Sequence, residues 1–223
     1  ELVRAILDCP ISQELATHTF SHVQIGESTC SAEVARAEFA KSQNLASAWG
    51  KSMRSVVFPR NDVGHLDALR ENGFQCYRGK NSEWYWFGNP PGVYKRKWLR
   101  YLDERLCLTP PLPPVCRREG LCEIPHSMFF PGLTGVSKYI SPELRVRRAI
   151  RGLHRAAETG RIFSLYTHPE NFLPRPEPLL CAFEEICREA ARLRDEGDFK
   201  ILTMGGIVDE LEAGKNQHWI GNS

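Results

Sequence analysis

Glu14-Leu15-Ala16-Thr17-His18-Thr19-Phe20-Ser21-His22 places two histidines four residues apart behind a short apolar run. On a helical turn, residues at this spacing share one face, with Cβ atoms about 5–6 Å apart. Both imidazoles could then reach one metal ion at about 2.0–2.1 Å per nitrogen. The spacing predicts a single helical turn delivered by the end of a strand. His18 and His22 are the predicted metal ligands, against the alternative of two surface or capping histidines. The zinc-protease pattern His-Glu-x-x-His is excluded, because Thr19 follows His18 and no glutamate lies between the histidines.

Working outward, helical and strand-like stretches alternate. Leu2 to Asp8 reads as the tail of a helix stopped near Pro10. Ser31 is a capping residue for a long helix that ends near Gly50. Ser55 to Pro59 is apolar and β-branched, as a buried strand should be. Asn61 or Asp62 should cap a helix through Leu69, and Phe74 to Arg78 should be a strand. Val93 to Leu106 reads as a helix, and Thr109 to Pro114, with four prolines, as an extended loop. Further on come a strand (Leu121 to Met128), a helix (Pro142 to Glu158), a strand (Arg161 to Thr167) and a helix (Glu177 to Asp195). A last strand (Phe199 to Thr203) and helix (Ile207 to Ala213) close the pattern. Such alternation predicts an α/β fold on a parallel sheet with crossover helices, and leaves barrel and open sheet undecided.

The 223 residues suit one α/β domain or two small ones. A net charge of +2 gives no reason to invoke nucleic acid or an anionic membrane. No apolar run reaches the 18 or so residues that a membrane span requires. None of the eight cysteines forms a Cys-x-x-Cys pair, which argues against a thiolate zinc site or redox dithiol. Reduced thiols, and with them a cytoplasmic setting, are favoured over a disulfide framework, although the compartment stays open. Two residues besides the histidine pair follow predicted strands directly: Arg60, otherwise an ordinary surface salt-bridge residue, and His168, just before Pro169. Trp84-Tyr85-Trp86-Phe87 is an aromatic cluster suited either to stacking on sugar rings or to core packing. His126 reads as a rim or structural residue, and His65 and His154 as solvent-facing.

The stretch from Glu14 to His22 resembles the second motif of the polysaccharide deacetylases, the carbohydrate esterases related to nodulation chitooligosaccharide deacetylase, whose pattern is His-Ser/Thr-x-x-His. Val57-Phe58-Pro59-Arg60-Asn61, Gly73-Phe74-Gln75-Cys76-Tyr77-Arg78-Gly79 and Ser164-Leu165-Tyr166-Thr167-His168-Pro169 follow in the family's order. The resemblance implies a single catalytic domain over 1–223, built as a distorted (β/α) barrel of about seven strands. It also implies a divalent metal on His18 and His22: zinc first, with cobalt, manganese or nickel as substitutes. Arg60 would orient a catalytic carboxylate, and His168 would protonate the leaving group of an acetylated carbohydrate. Trp84, Tyr85 and Trp86 would contact the sugar. Arg60 departs from the pattern, since the family more often has Arg-x-Pro-aromatic where this chain has Phe-Pro-Arg-Asn. The family's first motif, two adjacent aspartates at a strand end, has no counterpart, because no Asp-Asp-Gly occurs. The expectation is therefore a barrel lacking its first strand and inactive or nearly so as given. The alternative is a barrel of the same fold that binds carbohydrate without catalysis.

Overall fold

Three short runs of buried residues form the parallel part of the larger sheet: β1 (Ser55–Val56), β2 (Cys76–Arg78) and β4 (Leu121–Ile124). They lie in a computed structural model that describes residues 1–11, 13–26, 28–79, 92–173, 175–197 and 199–221. β1 pairs with β2 and β2 with β4, both parallel, with Ser55 opposite Cys76 and Cys76 opposite Cys122. β3 (Cys116–Arg118) closes one edge antiparallel to β4, giving the order β1-β2-β4-β3. Thr17 extends the other edge by one parallel bridge to Val56. This sheet belongs to the first of two compact units, made of Glu1–Lys80, Val115–Ile124 and Leu202–Ser223.

The unit also holds α1 (Leu2–Leu7), α2 (Ala32–Ser47), α3 (Leu66–Glu71) and α7 (Met204–Glu212). Ser31 caps α2 as expected, its hydroxyl accepting from Val34 N–H. Ala35, Phe39 and Ala46 of α2 are buried, and Phe39 meets Phe58 and Phe74 edge-on at 6.4 and 5.6 Å between centroids. Phe58 continues to Tyr77 at 5.6 Å, so an aromatic chain links α2 to β2.

The second unit comprises Asn81–Pro114 and Pro125–Ile201. Its sheet is one parallel pair, β5 (Met128–Phe129) with β6 (Leu165–Tyr166). α4 (Val93–Arg105), α5 (Pro142–Thr159) and α6 (Pro176–Asp195) supply the remaining layers. Ser141 caps α5, and Gly160 ends it at φ 61°. Phe130, Val146, Ala149, Leu153, Leu179 and Ile186 form the core. Arg145, fully buried among them, donates to the carbonyls of Pro131 and Ser137.

The α/β class holds, but the described strands form two small sheets and not one closed barrel. The single strand expected over Leu121 to Met128 is broken at Pro125, which has no N–H for a ladder, into β4 and β5. Phe199 to Thr203 forms no strand, and Ile201 stays exposed. The helix expected to start at Asn61 or Asp62 starts at Leu66. Arg60 and Asn61 are left-handed, and Asp62 spends its carboxylate on Gly26 N–H and the Thr29 hydroxyl, so it cannot cap a helix.

Candidate metal centre

Thr17 lies in register beside β1: its N–H donates to Ser55 O at 3.3 Å, and its carbonyl accepts from Val57 N–H at 3.0 Å. His18 is thereby delivered just past the carboxyl end of β1. Its Nδ1 lies 2.6 Å from the Val57 carbonyl. A carbonyl only accepts, so Nδ1 carries a proton, and in the neutral form of the ring the lone pair lies on Nε2. A backbone carbonyl on one ring nitrogen is the usual device for orienting a metal-binding histidine.

The predicted helical turn is absent. Residues 18–22 form an irregular loop in which Thr19 and His22 have φ of 61° and 60°. The loop nevertheless brings the imidazoles together, with centroids 4.8 Å apart and planes at 68°. Tertiary hydrogen bonds from α2 replace the helical ones. Glu38, 7% exposed, accepts from Ser21 N–H at 2.8 Å and from the Ser21 hydroxyl at 2.7 Å. One turn on, Ser42 Oγ lies 2.9 Å from Thr17 Oγ1 and donates to Glu38 O at 3.0 Å. Each histidine is thus preceded by a residue that α2 holds. The sequence signal for Glu38 and Ser42 is two polar residues, at i and i+4, within the otherwise apolar stripe Ala35, Phe39, Ala46.

Arg60 is exposed in the turn Pro59–Asn61, with left-handed φ of 55°. Its neighbour Asn61 accepts from Arg78 Nη2, at the end of β2, at 2.8 Å. The Tyr77 hydroxyl donates to Glu123 at 3.1 Å, and burial, then Glu123, pushes its pKa above the ordinary phenol value. His65 is half-buried rather than solvent-facing, with Nε2 2.8 Å from Cys30 O. Among the described residues, no group of three or more His, Cys, Asp or Glu side chains could hold a metal ion.

His168 belongs to the second unit, between β6 and the turn Pro169–Phe172. Its side chain is half-exposed, edge-on to Phe129 at 5.8 Å, with Nδ1 3.8 Å from Glu170. His126 is fully buried against Tyr166 at 5.0 Å, in the interior and not at a rim. His154 bonds Glu189 through Nε2 at 2.6 Å. Trp84, Tyr85 and Trp86 lie outside the described residues.

No protein-family model and no curated protein sequence matches the chain. All eight cysteines are free thiols, and Cys76, Cys107 and Cys122 are buried. No described helix is long and apolar enough to cross a membrane.

Proposed function

We propose that this protein is a metal-dependent hydrolase that removes acetyl groups from a carbohydrate, on a scaffold related to a distorted β/α barrel. The observation that carries the reading is the imidazole pair, 4.8 Å apart, just beyond the carboxyl end of a parallel strand. In parallel α/β folds, chemistry gathers at that end of the strands.

Two imidazoles with centroids 4.8 Å apart would offer a divalent ion two nitrogen donors, His18 through Nε2 because its Nδ1 faces the Val57 carbonyl. When bound, the ion would supply Lewis-acid polarisation of an acetyl carbonyl and a lowered pKa for water. His18 and His22 would hold and orient that centre. The roles the resemblance implies for the other residues are orientation of a carboxylate for Arg60, protonation of the departing amine or alkoxide for His168, and sugar contact for Trp84, Tyr85 and Trp86.

Zinc titration by calorimetry, with acetate release measured on N-acetylated and O-acetylated oligosaccharides, tests the reading. Wild type should bind one zinc and release acetate only slowly, since the paired aspartates of the first motif have no counterpart in the chain, and His18→Ala and His22→Ala should lose both. A wild type that binds no divalent metal and releases no acetate would overturn it. The lack of a third ligand among the described residues favours a second reading, a barrel that binds acetylated sugar without hydrolysing it. Sugar binding with no acetate release, with or without zinc, would select that reading.

A further inference from the structure

Helix α4 turns its acids inward and its large apolar side chains outward. Asp103 and Glu104 are buried, the first paired with Arg148 and the second with Arg100 at 2.7 Å. Tyr94, Trp98 and Leu102 recur every fourth residue along the outer face, and Leu106 follows at the helix end. Tyr94 is 82% and Trp98 62% exposed, and both leucines are exposed. An aromatic and aliphatic stripe of this kind, continuous along a helix, marks an interaction surface.

The neighbouring turn Gly135–Tyr139 carries the same chemistry. Arg100 Nη2 joins it to α4 through Ser137 Oγ at 3.5 Å. Tyr139 is exposed, with Lys138 Nζ 5.0 Å from its ring centroid, as Lys97 Nζ is 5.9 Å from that of Tyr94. Among the described side chains of 94–106 and 137–148, the exposed charges are Lys95, Lys97, Arg105, Lys138 and Arg147, against one acid, Glu143. The net charge of +2 averages over the chain and conceals this local asymmetry.

We propose that this face of α4 docks on an anionic lipid bilayer. Tyr94, Trp98, Leu102 and Leu106 enter the boundary between headgroups and acyl chains, and the lysines reach outward to the lipid phosphates. Charge complementarity selects the occupant: the acids of α4 are neutralised internally, and the exposed rim is cationic.

The test is co-sedimentation of the full chain with vesicles of phosphatidylcholine alone or with about a third phosphatidylserine. Each basic residue near an anionic surface contributes about fivefold in partitioning, so the two compositions should differ by more than about tenfold at low salt. Lys95→Ala with Lys97→Ala should weaken binding to the anionic vesicles about 25-fold, and Trp98→Ala should weaken it independently of charge. These side chains are exposed, so an unchanged circular dichroism spectrum verifies that the variants are folded. Failure to pellet with anionic vesicles at low salt, or pelleting unaffected by these variants, would overturn the proposal. So would concentration-dependent self-association abolished by Trp98→Ala, which would assign the face to a second copy of the chain.

Discussion

Replacing Glu38 by alanine removes both hydrogen bonds that its carboxylate accepts from Ser21, between the histidines. Its oxygens accept from Ser21 N–H at 2.8 Å and from the Ser21 hydroxyl at 2.7 Å, in a site where the glutamate is 7% exposed. Hydrogen bonds to a charged group contribute roughly 1.5–3 kcal/mol each, giving a gross loss of about 3–6 kcal/mol. Removing the carboxylate also relieves the cost of keeping a charge out of water, so the net destabilisation should be about 2–4 kcal/mol. Glu38→Gln keeps one accepting oxygen and should lose about half as much. Urea unfolding followed by circular dichroism measures both. If the histidines bind zinc, calorimetry on Glu38→Ala at a urea-free temperature well below its melting point should show affinity weakened about 10–100-fold, the usual effect of removing an outer support. A double-mutant cycle with Ser21→Ala isolates the interaction and should return a coupling of about 1–3 kcal/mol. A Glu38→Ala protein as stable as wild type, with a coupling near zero, would refute the claim that α2 sets the geometry of the loop.

Three other perturbations have definite signs. Asp103→Ala leaves the Arg148 guanidinium buried without its carboxylate and should cost about 3–5 kcal/mol in urea unfolding; a change under about 1 kcal/mol would show that the pair is solvated. Gly152→Ala would ordinarily stabilise a helix by about 0.5–1 kcal/mol, but a Cβ there would sit 2.4 Å from the Phe163 ring. The expected result is destabilisation by about 1–3 kcal/mol, read from the same titration, and a rise in stability would contradict it. Hydrogen bonds from Arg192, then His154, hold the Glu189 carboxyl down at about 2. The native state therefore binds fewer protons than the unfolded one, and this contribution is complete above the ordinary glutamate value of about 4.3 and lost as pH falls through about 2. Melting temperatures between pH 5 and 2 should fall less steeply in Glu189→Gln than in wild type, and parallel curves would count against the assignment.

The helices were legible because their signals are local. Ser31 and Ser141 each cap a helix through a backbone N–H three residues on. The sheets were less so. β3 is masked by Arg117 and Arg118, which are exposed at an edge. Its turn, Glu119 and Gly120 at φ of 51° and 80°, is a two-residue hairpin signal that Glu-Gly announces only weakly. Leu121 to Met128 reads as one strand, and only Pro125 hints at the break. At the candidate site, the spacing of His18 and His22 anticipated two neighbouring rings, but the reason offered for it was wrong. The loop is held by Glu38 and Ser42, some twenty residues away; their place in the apolar stripe of α2 marks them as buried polar residues but does not name Ser21 and Thr17 as their partners.

Left-handed backbone at Thr19 and His22 limits how the histidine loop could be transplanted. Each non-glycine residue in that region costs about 1–3 kcal/mol and persists only where its surroundings enforce it. A nine-residue graft of Glu14 to His22 onto a foreign scaffold would relax toward ordinary φ values, and its two imidazoles would separate. The smallest portable unit is larger: the loop, the helix that carries Glu38 and Ser42, and the strand whose Val57 carbonyl orients His18. An engineer who wished to move this site, or a lineage that rearranged it, would have to carry all three together.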